Sequence, residues 1–172
     1  SSCRGWFNFI YYGHDPKLIN VLNGGLKKWT MEKKKVTDEI SNIDKSDYKS
    51  TERKDLVKSK QAVDQNIEKK IFTLIDARSR ERFEGKIPEP RKGLRSGCIK
   101  NSFCIPFNDC LNDDKTFKNK DDLKKIFKTV IENLEQKKIV FSCGSGVTAC
   151  VLALAYSLIN DKYLPCIYDG SW

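Results

Sequence analysis

The sequence predicts an α/β fold, a parallel sheet of about five strands flanked by helices on both faces. Three observations point there. Short, largely apolar runs, IFTLID (71–76), KKIVFSC (137–143) and CIYD (166–169), have the length and composition of buried parallel strands. Segments with helical spacing of apolar residues alternate with them. One of these, VTACVLALAYSLI (147–159), is apolar around most of its circumference and has to be covered on nearly all sides.

The chain opens on Trp6, Phe7, Phe9, Ile10, Tyr11 and Tyr12, a dense apolar segment read as a helix, with INVL (19–22) as a neighbouring strand. HDPKLINVLNGG (14–25) set beside NDKYLPCIYDGS (160–171) gives a weak internal repeat at a constant offset of 146, that is 160 less 14. Each copy reads as helix end, turn, strand, then Asn or Asp before Gly. The offset sets Ser1 and Ser2 opposite Val147 and Thr148. Residues 1–30 are therefore expected to be the C-terminal remnant of a preceding domain that has lost its core. Such an apolar patch should pack on a second chain or on the missing N-terminal domain.

Residues 31–55 are dense in charge, with Val36, Ile40 and Ile43 as sparse apolar points, and read as an interdomain linker. Residues 56–172 form the main domain. Ser59 is a helix cap ahead of Val63 and Ile67, and the strand at 71–76 follows. Residues 121–136 are the clearest helix: Leu123, Ile126, Phe127, Val130, Ile131 and Leu134 make one apolar stripe, and Asp121 and Asp122 suit the positive end of its dipole.

Composition excludes several classes. The 172 residues carry 32 Lys and Arg against 23 Asp and Glu, a net +9, but the lysines are mixed with acids, as in Asp113, Asp114, Lys115, Lys118, Asp121, Asp122 and Lys124. That is a solvated surface rather than a nucleic-acid footprint. No run approaches the roughly twenty apolar residues of a membrane span. No signal peptide opens the chain, so an intracellular protein is expected, cytoplasmic or mitochondrial. Seven cysteines, with no CxxC pair, suggest neither a disulfide framework nor a metal site. Most of them are read as small buried hydrophobes.

Cys143 stands apart. It ends a core strand and precedes a helix, and Gly144 and Gly146 let the backbone curl so that successive amide N–H groups point inward. A curled loop at a helix N-terminus stabilises an anion, and the thiolate is the reactive form of cysteine. In parallel sheets chemistry sits at the carboxyl ends of strands.

CGSGVTAC (143–150), followed by VLALA, resembles the active loop of the rhodanese superfamily, and within it that of the 3-mercaptopyruvate sulfurtransferase family. LIDARSRERFEGKIPEPRKGLRSG, YDGSW and VLNGGLKKW resemble further stretches of that family, so the resemblance covers nearly the whole chain except the linker. It implies a catalytic rhodanese-like domain at 56–172 behind an inactive one. It also implies that Cys143 takes sulfur from 3-mercaptopyruvate as a persulfide, leaving pyruvate, and passes it to thioredoxin, another thiol or cyanide, without a cofactor. Arg82 and Arg91 match the family's substrate-binding arginines, which suit an α-keto carboxylate because a guanidinium donates two parallel hydrogen bonds. The loop residues Gly144, Gly146, Val147 and Thr148 would also line the substrate, and Ser145 matches a catalytic serine that works with an Asp and a His of the first domain. Arg78, beside Asp76, reads as structural pairing, and His14, the sole histidine, has no claim to the catalytic role.

Thiosulfate-using relatives carry positive side chains near 144 and 145, where this sequence has Gly and Ser; mercaptopyruvate is therefore the expected donor. Cys98 and Cys104 depart from the family's usual His and Asn. Three alternatives remain: a thiosulfate:cyanide sulfurtransferase, a catalytically impaired binding module, and a cysteine phosphatase. The last needs an arginine closing the loop, and residues 143–150 hold none.

Overall fold

The computed structural model describes residues 1–135 and 138–170. In chain order the elements are α1 (Ser2–Tyr11), α2 (Gly25–Met31), β1 (Val57–Lys58), α3 (Lys60–Lys69), β2 (Thr73–Asp76), α4 (Arg80–Phe83), β3 (Phe103–Cys104), α5 (Lys120–Lys128), β4 (Ile139–Ser142), α6 (Ala149–Ser157) and β5 (Ile167–Tyr168). Residues 34–53 carry no helix or strand and are almost wholly exposed.

The five strands form one parallel sheet in the order β1-β5-β4-β2-β3. Alternation along each strand sends side chains to opposite faces. Ile75, Ile139, Phe141 and Ile167 join the larger core with Leu123 and Phe127 of α5 and the apolar residues of α6, while Leu74, Val140 and Tyr168 meet Val63 of α3 on the other face. Helices thus cover both faces, as expected. Local chemistry fixes their starts: Ser59 Oγ accepts from the Ala62 N–H, and Asn119 Oδ1 from the Asp122 N–H.

Three expectations are corrected. The N-terminal apolar segment is not left without a core: Trp6, Phe7 and Ile10 follow Cys3 at helical spacing, and all four are buried in the cluster that contains α6. Phe7 and Ile10 are each 1 % exposed, and the outward side of α1 carries Asn8 and Phe9, with Tyr12 exposed just past its end. INVL (19–22) is not a strand: residues 19–22 pair with no strand among the described residues, and an extended segment without a ladder partner does not make one. The helix expected at 121–136 ends at Lys128. Thr129, Val130 and Ile131 are β-branched in succession, a poor helical run, and the Thr129 and Val130 N–H groups turn to the carbonyls three residues back, Ile126 and Phe127, which tightens the last turn. Ile131 is still buried, with Val130 and Leu134 packed against the core, so the apolar stripe survives where the helix does not. Residue 136 of that expected helix and residue 137 of the expected strand lie outside the described residues.

Candidate active site

The central pairing of β2 with β4 creates the site. Asp76 and Ser142 are register partners at the carboxyl ends of these strands, and the Ala77 N–H donates to the Ser142 carbonyl at 2.8 Å. The chain leaving β2 and the chain leaving β4 therefore emerge side by side. The first carries Arg78 and Arg82; the second begins with Cys143.

Cys143 is 2 % exposed. The loop after it folds back, so that the Ser145 N–H lies 3.4 Å from Cys143 Sγ. Gly146 adopts φ +72°, in the left-handed region, and α6 begins three residues later with Thr148 as its cap position. The loop thus brings the Ser145 N–H to the sulfur just ahead of the helix N-terminus, where an anion is favoured. Val147 and Thr148 are half-buried between loop and helix; the Ser145 side chain stands exposed, and its backbone amide is what touches the sulfur.

Both predicted arginines reach this loop. Arg91 Nη2 donates to the Gly144 carbonyl at 2.7 Å. Arg82 Nη2 lies 2.9 Å from where a side chain on Gly144 would begin, so glycine is what admits the guanidinium there. The two are not equivalent electrostatically. Arg82 Nε donates to Glu89 Oε1 at 3.1 Å and its Nη2 to Glu89 Oε2 at 2.5 Å. Among the described residues Arg91 pairs with no carboxylate. Arg91 is thus the guanidinium at this loop that has no carboxylate partner among the described residues.

Glu89 was not visible in the sequence, where it reads as a surface acid in IPEPR. In the structure its side chain is 1 % exposed and joins Arg82 to Arg78. Arg78, wholly buried, donates to Glu89 Oε1 at 2.8 Å, to Asp76 Oδ2 at 2.6 Å and to the Gly97 carbonyl at 2.8 Å. The expected Asp76–Arg78 pairing is present and is part of a larger network of two carboxylates and two guanidiniums, neutral in sum. The Arg82 contact, aided by Arg78, holds the Glu89 carboxyl below its ordinary range against the opposing effect of burial. Residues 85–97, which carry Glu89 and Arg91, form a loop with close ends: a side chain on Gly85 would begin 3.2 Å from the Gly97 nitrogen.

On the other side of the sulfur loop stands Arg4 of α1, also unforeseen. It forks onto Asp169 at 2.7 and 3.0 Å and reaches the Gly146 carbonyl at 3.4 Å. The Cys150 thiol donates to the same carbonyl at 3.1 Å, and burial pushes that thiol up to about 12. Cys104 and Cys110 are likewise pushed to about 12 and Cys166 to about 11, each chiefly by burial. Cys98 is exposed.

A parallel α/β domain with a cysteine at the end of its central strand, cradled by a glycine loop and flanked by guanidiniums, defines a class of thiol-centred anion-handling site. Residues 59–172 match the rhodanese-like domain family, and the chain belongs to that family. It is 38 % identical over 170 residues to a Bos taurus thiosulfate sulfurtransferase, covering 98 % of this chain and 56 % of the relative. It is 32 % identical over 172 residues to a Mus musculus 3-mercaptopyruvate sulfurtransferase, covering 100 % and 57 %. Among solved structures, SseA from Escherichia coli, described as a 3-mercaptopyruvate sulfotransferase, aligns with TM-score 0.81 at 26 % identity, covering 100 % of this chain and 62 % of that one. The chain spans a little over half the length of the curated relatives it matches.

Proposed function

We propose that this chain transfers sulfane sulfur from 3-mercaptopyruvate, through a persulfide on Cys143, to a thiol such as that of thioredoxin, or to cyanide. The observation that carries the reading is the convergence on one loop of Cys143, the Ser145 amide, Arg82 and Arg91. The Cys143 thiolate attacks the donor's sulfur, the carbon–sulfur bond breaks, and its electron pair leaves as the enolate of pyruvate, which takes up a proton. Cys143 then carries S–SH. An acceptor thiolate attacks the outer sulfur and Cys143 leaves as thiolate. Arg91, with no carboxylate partner among the described residues, suits the donor carboxylate; Arg82, held by Glu89, orients it. The Ser145 hydroxyl is read as the group that moves a proton in this step.

The domain reading is carried forward in the same way. Residues 1–30 are proposed as the end of a preceding rhodanese-like domain and 31–55 as the linker. The 146-residue offset supports this, since it equates α1 with the α6 stretch, Ser2–Tyr11 with 148–157, and these two helices pack together.

Thiosulfate is the second reading, favoured by relatives of that name at similar identity. Steady-state rates with each donor decide between them. Mercaptopyruvate should be preferred, and replacing Gly144 by Arg and Ser145 by Lys should move the ratio toward thiosulfate. A wild-type preference for thiosulfate, with a ratio indifferent to both substitutions, would contradict the assignment.

A further inference from the structure

A trans peptide unit points its C=O and the following N–H in opposite directions, and the chain has no cis bonds among its described residues. This fixes how a curled loop presents its amides. Arg91 holds the Gly144 carbonyl from outside the loop, and the next amide, Ser145 N–H, accordingly faces Cys143 Sγ. The same construction recurs one step on. The Gly146 carbonyl is held outside by Arg4 Nη1 and by the Cys150 thiol, so the Val147 N–H in that peptide plane must face the opposite way, into the loop.

We infer that Arg4 is a positioning residue for sulfur transfer: by anchoring the Gly146 carbonyl it turns the Val147 N–H toward the Cys143 sulfur. The inference rests on the reading of Cys143 as the sulfur carrier. Of the two donors at Gly146, the thiol at 3.1 Å is weak and neutral, while the guanidinium at 3.4 Å is the one that brings a charge to the carbonyl. Arg4 is itself fixed, by a two-pronged contact to Asp169 and by stacking of its guanidinium 5.7 Å from the Phe7 ring centre. The fit is close: a side chain on Gly146 would collide with Asp169 and would begin 2.7 Å from Arg4 Nη1. Arg4 lies outside residues 59–172, the part that matches the family. The loop of the matched domain is thus completed by a helix that precedes it.

Two measurements on Arg4→Gln and Asp169→Asn in the full chain test this. Hydrogen exchange of the 144–148 amides should accelerate by about tenfold or more in both variants, with the strands unaffected. Single-turnover sulfur loading from mercaptopyruvate should slow roughly ten- to a hundredfold, with half-saturation by donor unchanged because Arg82 and Arg91 are intact, and Arg4→Lys should recover part of the rate. Asp169→Asn removes Arg4's partner without shortening any side chain, so an unstable Arg4→Gln does not block the test. Wild-type exchange in the loop and wild-type loading in both variants would overturn the inference. A wild-type protein that takes up no sulfur would overturn the proposed function instead, and the exchange measurement would still judge the Arg4 clamp.

Discussion

Cys143 and Cys150 are both buried, yet their surroundings separate them. Cys150 donates its proton to a carbonyl, and burial holds that proton in place far above neutral pH; Cys143 Sγ instead accepts an amide N–H. Sulfur loading should therefore vanish in Cys143→Ser and persist in Cys150→Ser, read by mass after donor exposure. Arg82→Lys and Arg91→Lys should each weaken mercaptopyruvate use by roughly 1–3 kcal/mol in kcat/KM, since an ammonium cannot make the forked contact. The loss from Arg91→Lys should appear mainly in KM. Glu89 bridges two guanidiniums, and removing its charge leaves Arg78 and Arg82 with the Asp76 carboxylate alone in a dry site, so Glu89→Gln should cost about 3 kcal/mol in denaturant unfolding. Because Glu89's carboxyl is depressed in the folded state, its contribution is present above the unfolded value near 4.5 and is lost as pH falls through the lower folded value. Wild-type stability should fall more steeply than that of Glu89→Gln below about pH 4.5.

At the scale of elements, the helix that decides most is α1. Phe7 fills the core cluster it shares with α6, and Phe7→Ala should destabilise by about 3–5 kcal/mol, measured by chemical denaturation. A loss under 1 kcal/mol would show that α1 docks loosely. The Ser59 cap, the strand after it and the strand that leads into Cys143 were legible in the sequence because their signals are local, whereas the two-residue strands β1 and β3 and the Asn119 cap were not. The end of α5 was not, since a stripe of apolar residues records what is buried and not whether the backbone stays helical, as Ile131 and Leu134 show. The burial of α1 was missed for a different reason. Its apolar face at Cys3, Trp6, Phe7 and Ile10 was plain, but its partner lies some 145 residues away in the chain, and nothing local names it.

For the molecule as a whole, the site combines four stretches separate in sequence: the loop at 143–148, the segment 78–91, the start of α1, and Asp169. The loop and the two arginines could be read from a family resemblance. Glu89 and Arg4 could not, because each is held in place by ion pairs with other side chains and has no motif of its own. No helix among the described residues is long and apolar enough to cross a membrane. The central claim is that Cys143 carries a sulfur atom between donor and acceptor. Exposing the chain to mercaptopyruvate, removing excess donor and measuring intact and peptide masses tests it most directly. The account predicts one added sulfur, confined to the peptide containing Cys143 and released on adding a thiol or cyanide; no added sulfur, or sulfur retained in Cys143→Ser, would contradict it.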